Sequence, residues 1–462
     1  MKGLLVSGTA SGVGKTTVAL AIMAGLRRRG LVVQPYKCGP DFLDTGHHTR
    51  ICGRTARNLD TWMLSVEANR SVLRNAARGA DVVVAEGMMG LFDGKNGSTE
   101  IGSSAEIAKL LRLPVVLVVD AAKSARSVAA VVLGFEMFDA ELQLAGVVLN
   151  RVAGERHYEM LREAIETSCK TKILGWLPLE PTIAIPERHL GLQGAVEQTT
   201  SAEAAVDALA SLAEKHLDLD GLLGLECELK MTGIEPARAS GFESNDAVRV
   251  GVASDQAFSF YYEDNLDLLR EQGVEIIRFS PLNDARLPPD LDALYLGGGY
   301  PELYAEQLSG NRQMLEEVRA FVASGKPVYA ECGGMLYLSE SLSVDDTSYA
   351  MAGVLSLSMQ MTGKLVRFGY VTVEFTEDCL LGRKGTVVRG HSFHYSRVAT
   401  QGEVETSYHV QYSMSGKEEL EGFRRGNVLA SYIHLHFRAN PAVAENFVAA
   451  IRQVRTSQAV TA

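Results

Sequence analysis

The segment SGTASGVGKTT at 7–17 constrains this chain more than any other. It follows a short apolar run, LLVSG at 4–8, and leads straight into an amphipathic stretch at 15–29. Strand, glycine loop and helix in that order let backbone N–H groups converge on a phosphate, while the helix N-terminus adds favourable partial charge. Gly8, Gly12 and Gly14 allow the main chain to approach a β-phosphate, with Thr9, Val13 and Thr17 completing an ATP cradle. Lys15 is placed to reach β/γ oxygens and Thr16 to offer its hydroxyl to Mg2+. The strict pattern wants a glycine five residues before Gly14; Thr9 stands there, with Gly8 one further out.

Beyond the loop, short apolar runs alternate with amphipathic stretches. DVVVAEG at 81–87, PVVLVVD at 114–120, AGVVLN at 145–150 and KILGWLP at 172–178 are β-branched and lack a polar face, as strands buried on both sides of a parallel sheet do. The stretches at 15–29, 104–113 and 124–138 supply covering helices. Over 217–246 the pattern dissolves among several Gly, Ser and Pro, which reads as a linker. A second apolar series begins with VRVGVASD at 248–255 and runs through VEIIRFS, DALYLGGG and PVYAECGG. After Ala350 the strands alternate and read as antiparallel: GYVTVEF, ETSYHVQYS and VLASYIH. The expected fold is α/β in two domains, a P-loop parallel sheet flanked by helices over 1–216 and a second α/β domain over 247–462.

Lys and Arg number 45 against 56 Asp and Glu, a net charge of −11. That is the wrong sign for a surface that neutralises a nucleic acid backbone, so an anionic ligand must be met in a local pocket. Six cysteines show no CxxC pair and no zinc-like spacing, which reads as reduced thiols. The opening MKGLLVSG carries no signal-peptide pattern, and no apolar run reaches the ~18 to 20 residues of a membrane span. A cytoplasmic location is expected.

KCGPDFLD at 37–44 and EGMMGLFDG at 86–94 each leave an apolar strand, and residues at the C-terminal ends of parallel strands converge on one crevice. Asp41 and Glu86 are expected to bind Mg2+ directly or through water, with Asp93 nearby on a Gly-flanked loop; the metal offsets charge on ATP and on an acidic acceptor. Asp44 reads as a turn residue, and Asn150 serves either an adenine edge or a turn. The glycine loop resembles the dethiobiotin-synthetase-like branch of P-loop enzymes; a ParA- or MinD-like switch would carry a second lysine where Ala10 stands. KCGPDFLD, AEGMMGLFDG and PERHLGL at 186–192 closely resemble the cobyrinic acid a,c-diamide synthases of corrinoid biosynthesis. The resemblance covers nearly the whole chain. It implies a domain that uses MgATP to activate peripheral carboxylates of a tetrapyrrole-derived macrocycle as acyl phosphates. Lys15, Thr16, Asp41, Glu86 and Asp93 would handle ATP, metal and carboxylate, with Arg188 and His189 of PERHLGL also at the substrate carboxylate.

In the second half, PVYAECGGML at 327–336 reads as strand, sharp turn and helix, with Cys332 at the turn. A nucleophile elbow needs this arrangement: small residues admit substrate, and a helix N-terminus lowers a thiol pKa from its usual ~8.5. GGGYPE at 297–302 follows another apolar strand. N–H groups of Gly298, Gly299 and Gly333 form the expected oxyanion hole, each donor worth roughly 3 kcal/mol. SYIHLHF at 431–437 offers two histidines at period two, which on a strand face the same side. Triad glutamine amidotransferases carry His-Pro-Glu in the corresponding place. The resemblance puts the catalytic base on His434, while His436 occupies the position of the Glu. This leaves a Cys–His dyad, or a triad with an unusual third member, and lowered intrinsic glutaminase activity. The corrinoid branch shares the departure. RGHSFHYS at 389–396 resembles a loop that usually reads GHEFHYS, so Ser392 stands where a Glu is expected. His391 and His394 read as ordinary hydrogen-bonded histidines as readily as substrate ligands.

The resemblance implies a class I glutamine amidotransferase-like C-terminal domain that supplies ammonia to an ATP-dependent synthetase. The activity would be that of a ligase forming C–N bonds with glutamine as amido donor, acting on the a and c acetates of cobyrinate. Expected partners are cobyrinate, glutamine and ATP, with neither nucleic acid nor membrane, and both monomer and homodimer stay open. Nickel-sirohydrochlorin shares those acetates and is the nearest alternative acceptor. PERHLGL disfavours a cobyric acid synthase, and the missing His-Pro-Glu disfavours a CTP synthetase. Intact Cys332, His434 and the glycine segment disfavour a nucleotide-dependent regulatory protein with a dead amidotransferase domain.

Overall fold

The computed structural model describes residues 1–179, 199–227, 229 and 247–461, which fall into two compact units, Met1–Ile234 and Glu235–Ala462. The first unit is built on a seven-stranded sheet. Its strands are β1 (Lys2–Gly8), β2 (Val33–Cys38), β3 (Arg57–Leu59), β4 (Val82–Glu86), β5 (Val115–Asp120), β6 (Leu144–Val152) and β7 (Ile173–Pro178). They lie in the order β3-β2-β4-β1-β5-β6-β7, and every neighbouring pair is parallel. Unbroken β-branched runs suit these strands because both faces are covered, and β2 and β4 are buried along their whole length.

The helices of this unit are α1 (Lys15–Arg28), α2 (Leu43–Cys52), α3 (Val66–Ala76), α4 (Ser104–Leu111), α5 (Ser127–Phe138), α6 (Glu155–Ser168), α7 (Thr199–His216) and α8 (Leu219–Leu223). Val18, Ile22 and Leu26 of α1 share a core with Leu4, Val6 and Val84. Leu217, Leu219 and Leu222 belong to that same core. The stretch beginning at 217, which the sequence presents as linker, therefore starts as packed structure: its Asp and Gly residues mask three leucines that close the apolar layer.

The second unit carries a ten-stranded sheet. Its elements open with β8 (Val248–Ala253), α9 (Glu263–Glu271), β9 (Val274–Phe279), β10 (Ala293–Leu296), α10 (Ala305–Gly310), α11 (Arg312–Ala323), β11 (Val328–Glu331) and α12 (Gly333–Leu338). There follow β12 (Ser341–Val344), β13 (Thr347–Ala350), β14 (Leu357–Met361), β15 (Arg367–Phe375), β16 (Val387–His394), β17 (Ser396–Gln401), β18 (Glu405–Tyr412), β19 (Glu418–Arg425), β20 (Val428–Ser431), β21 (His434–Leu435) and α13 (Ala442–Thr461). The large sheet runs β21-β16-β15-β18-β19-β20-β11-β10-β8-β9, and β13-β12-β14-β17 make a small second sheet. From β9 to β20 the pairs are parallel; from β20 to β21 they are antiparallel.

VLASYIH, expected as one antiparallel strand, is divided. β20 stops at Ser431 after pairing parallel with β11 and antiparallel with β19. The next donors are diverted from the ladder: Tyr432 N–H goes to Glu421 Oε1 at 2.5 Å and Ile433 N–H to Ser431 Oγ at 2.9 Å. The chain then enters β21, where His434 pairs with His391 of β16. Among the described residues no helix is long and apolar enough to cross a membrane.

Candidate active sites

The loop from β1 to α1 is shaped by its glycines. Gly14 has φ 90°, and a Cβ there would lie 2.0 Å from Asn150 Nδ2, so only glycine suits this close approach. Asn150 Nδ2 donates to Val13 O at 2.8 Å. Asn150 lies within β6 instead of a turn, and this bond braces the loop. The neighbouring Arg151 joins it, donating to Gly12 O at 2.8 Å and to Asp120 Oδ2 at 2.5 Å. Lys15 Nζ donates to Ala10 O at 3.1 Å; burial first, then the Lys37 charge, pulls its pKa down. Thr9 N–H continues the sheet by donating to Val118 O at 3.2 Å. Thr17 is half-buried on the first turn of α1.

The acids converge, but in an arrangement the sequence did not disclose. Glu86 is fully buried at the end of β4. Its Oε1 accepts from Thr16 Oγ1 at 2.7 Å and Lys37 Nζ at 2.9 Å, and its Oε2 meets His48 Nε2 at 2.7 Å. Lys37 also contacts Asp44 Oδ2 at 2.5 Å. Burial alone would push the Glu86 carboxyl up, but Lys37 and His48 overcome it and hold it well below the usual range. Burial likewise opposes the Lys37 ammonium, and Glu86, Asp44 and Asp41 together hold it charged. Asp44 is pushed up to about 6 by burial and the Glu86 charge, against Lys37. Asp44 thus belongs to the cluster instead of a simple turn, and Lys37 and His48 were missed. Only the Lys37 of KCGPDFLD carried a signal, a cation at the end of an apolar strand.

Asp41 Oδ1 accepts from the N–H groups of Leu43 and Asp44 at 2.6 and 3.2 Å, and Asp93 Oδ2 accepts from Gly90 N–H at 2.8 Å. Among the described residues no three His, Cys, Asp or Glu side chains form a ready metal cage. The donor set nevertheless suits Mg2+, which favours one or two protein oxygens completed by phosphate and water. Thr16 and Asp41 provide such oxygens, whereas Glu86, with both oxygens engaged, would act through water or by exchanging a partner. Arg188 and His189 lie outside the described residues.

In the second unit Cys332 joins β11 to α12 with φ 45° and ψ −100°, a strained backbone that costs ~1–3 kcal/mol and must be held by its surroundings. Cys332 N–H donates to Ser431 O at 2.7 Å, Gly334 N–H to Gly297 O at 2.9 Å. A Cβ on Gly333 would approach Gly299 N to 3.0 Å, so these two glycines adjoin beside the thiol. The third expected oxyanion donor is otherwise engaged: Gly298 N–H donates to Phe260 O at 3.2 Å in an isolated bridge. The thiol also departs from expectation. Burial, followed by the Glu302 charge, pushes it up to about 12, against the Gly333 N–H. The six-residue α12 does not outweigh that desolvation. Glu302 was not singled out from sequence; burial pushes it up to about 7.

His434 is held by its segment. Asn265 donates to Leu435 O and accepts from Phe437 N–H, both at 2.8 Å. The ring stacks on His391 at 4.9 Å, and a Cβ on Gly298 would lie 2.5 Å from His434 Cε1 and 3.4 Å from Nε2. The imidazole therefore borders the same glycine turn as Gly299 and Gly333. His391 Nδ1 pairs with Tyr262 OH at 2.8 Å; His394 Nδ1 pairs with Ser396 O at 2.7 Å and its ring stacks on Tyr432. Ser392 is buried and its hydroxyl has no partner among the described residues.

Residues 4–192 match a CobQ/CobB/MinD/ParA nucleotide binding domain, and residues 249–442 a CobB/CobQ-like glutamine amidotransferase domain. The chain is 42% identical to a cobyrinate a,c-diamide synthase of Listeria monocytogenes, covering 98% of this chain and all of that one. It is 42% identical to the enzyme of that name in Salmonella typhimurium, covering 97% and 98%, and 40% identical to that of Archaeoglobus fulgidus, covering 96% of each. A crystal structure of a glutamine amidotransferase aligns with TM-score 0.33 and 20% identity, covering 44% of this chain and 98% of that one.

Proposed function

The chain belongs to the cobyrinate a,c-diamide synthase family, and from that premise we propose how its residues divide the work. The protein is an amidoligase that uses ATP and glutamine to amidate the a and c acetates of cobyrinate, releasing glutamate, ADP and phosphate. Cys332 attacks the glutamine side-chain amide carbon. His434 takes the thiol proton and returns it to departing ammonia, while the N–H groups of Gly299 and Gly333 face the developing oxyanion. Water then hydrolyses the thioester to glutamate.

In the first unit the loop from Gly8 to Thr16 binds ATP. Lys15 neutralises the transferring phosphoryl group as an acetate oxygen attacks the γ-phosphorus, giving an acyl phosphate and ADP; ammonia displaces phosphate to leave the amide. Thr16 and Asp41 would hold Mg2+, with Glu86 behind them, and the ion when bound offsets triphosphate charge. Lys37 and His48 keep Glu86 ionised and fixed. Asp93, with Arg188 and His189 on family likeness alone, is assigned to the acetate. A cytoplasmic location accords with a biosynthetic enzyme acting on small molecules.

The observation that carries the reading is the strained Cys332 turn beside Gly299 and Gly333, on a chain that also holds the phosphate loop. The test is product mass from native protein and Cys332→Ala with ATP, Mg2+ and cobyrinate, using glutamine or ammonium chloride. The variant is expected to make diamide from ammonium alone; equal loss from both sources overturns the two-site reading. Substituting nickel-sirohydrochlorin as acceptor tests the macrocycle: a higher kcat/KM than with cobyrinate would reassign it.

A further inference from the structure

The role left open by the missing His-Pro-Glu has a candidate one residue before the nucleophile. Glu331 ends β11 and is 1% exposed. A buried carboxylate needs compensating partners, and those of Glu331 are specific. Oε1 accepts from Tyr329 OH at 2.7 Å and Leu435 N–H at 3.2 Å; Oε2 accepts from Tyr295 OH at 3.1 Å. These donors are neutral. Among the described residues the one basic group at ion-pair distance is His434, whose Nδ1 lies 3.6 Å from Oε2.

The two edges of the imidazole thus face different groups: Nδ1 faces Glu331, and the Cε1–Nε2 edge lies against Gly298. A base that removes a thiol proton through Nε2 becomes an imidazolium with a proton on Nδ1, and a carboxylate there stabilises it and fixes the tautomer. A separation of 3.6 Å without substrate can tighten when that charge forms. His436 has a different environment. Neither ring nitrogen has a partner among the described residues, and the ring packs 4.5 Å from Tyr262. Burial pushes it down to about 3, so it is a neutral packing group.

We propose that Glu331 is the positioning acid of His434, so that the third member of the triad comes from the strand that carries the cysteine. The inference rests on the assignment of Cys332 and His434 above. No proton passes to Glu331 in the step; the thiol proton moves to His434 Nε2 and then to ammonia. Other groups around the pair are His391, stacked on His434 and hydrogen-bonded to Tyr262, with His394 and His436 further on. Tyr295, Tyr329, Tyr261, Tyr408 and Cys332 are further titratable neighbours of Glu331.

The experiment measures glutamine hydrolysis against pH for native protein, Glu331→Gln and Glu331→Asp, with ammonium-supported amidation measured in parallel. Glu331→Gln is expected to lower kcat for glutamine by ~10²-fold or more with KM little changed and an altered pH profile. Glu331→Asp should recover part of the loss because it restores the charge, and amidation from ammonium should persist in both. Glutamine turnover in Glu331→Gln within threefold of native overturns the proposal. Equal loss from both nitrogen sources, alike in Gln and Asp variants, assigns the residue to folding and overturns it as well. Failure of the underlying assignment would show separately, as glutamine hydrolysis surviving in Cys332→Ala.

Discussion

At the phosphate loop the central buried pair is charged, Lys37 with Glu86, and it is flanked by Asp44 on Lys37 and His48 on Glu86. At the thiol, Cys332 and His436 are instead held neutral: burial pushes Cys332 up to about 12 and His436 down to about 3. The difference follows from what each site receives. A triphosphate brings its own large charge and is best met by fixed charges that need no reorganisation. Glutamine brings a neutral amide, and charge develops there only during reaction. The thiol and the nearby His436 can therefore rest uncharged, and among the described residues the acid at ion-pair distance from His434 is Glu331.

The largest expected break between the regions comes from the phosphate side. Lys15→Ala is expected to reduce ATP-dependent amidation ~10³-fold with either nitrogen source, since its charge faces the transferring group. Asp41→Asn should act in the same direction, while basal glutaminase continues in both. ADP release, measured with cobyrinate and ammonium chloride, checks this; native-level ADP formation in both variants would remove these residues from phosphoryl transfer.

Next in size is a contrast within the thiol site. His434→Asn is expected to cut glutaminase turnover ~10²-fold or more and to slow alkylation by a glutamine-like affinity label, as loss of a general base does. His436→Asn should be milder, because that ring packs against Tyr262 and neither of its nitrogens has a hydrogen-bond partner among the described residues. Labelling rate against pH for the two variants decides; a greater loss in His436→Asn reverses the roles.

How much of this was legible in sequence also differs between the regions. The apolar runs behind β1, β4, β5, β6 and β7 and the glycine loop are local patterns, and local patterns survive in one dimension. So does the strand–turn–helix around Cys332. What escaped were groups joined only by the folded chain. Lys37 and His48 meet through Glu86 because β2, α2 and β4 bring three separate segments together. Gly298 loses its N–H to Phe260 across a bridge no spacing announces. Glu331 could not be linked to His434, 103 positions later by numbering, without the parallel pairing of β11 with β20 and the turn at Tyr432. The three-residue β3 is too short to carry a period.

The smallest predicted effect tests the neutrality of the thiol region directly. His436 has its folded pKa lowered to about 3 by burial, from an ordinary value of 6.5 in an open chain. Below pH 6.5 the unfolded chain takes up a proton that the folded one refuses, so this group costs stability as pH falls. Glu421 has the opposite sign. Burial pushes its folded pKa up to about 7 despite bonds from Ser431, Tyr432 and Gly422. Through the window from 7 down to its open-chain 4.5, the folded chain keeps a proton the unfolded one releases, so its contribution grows as pH falls and is complete below that window. Between pH 7 and 5, native stability relative to His436→Phe should fall by about 2 kcal/mol, and relative to Glu421→Gln should rise by a similar amount. Amide hydrogen exchange of second-unit peptides at the two pH values measures both slopes. Slopes of the same sign would mean that one of these groups is charged in the folded state, and the contrast between a charged phosphate site and a neutral thiol site would have to be redrawn.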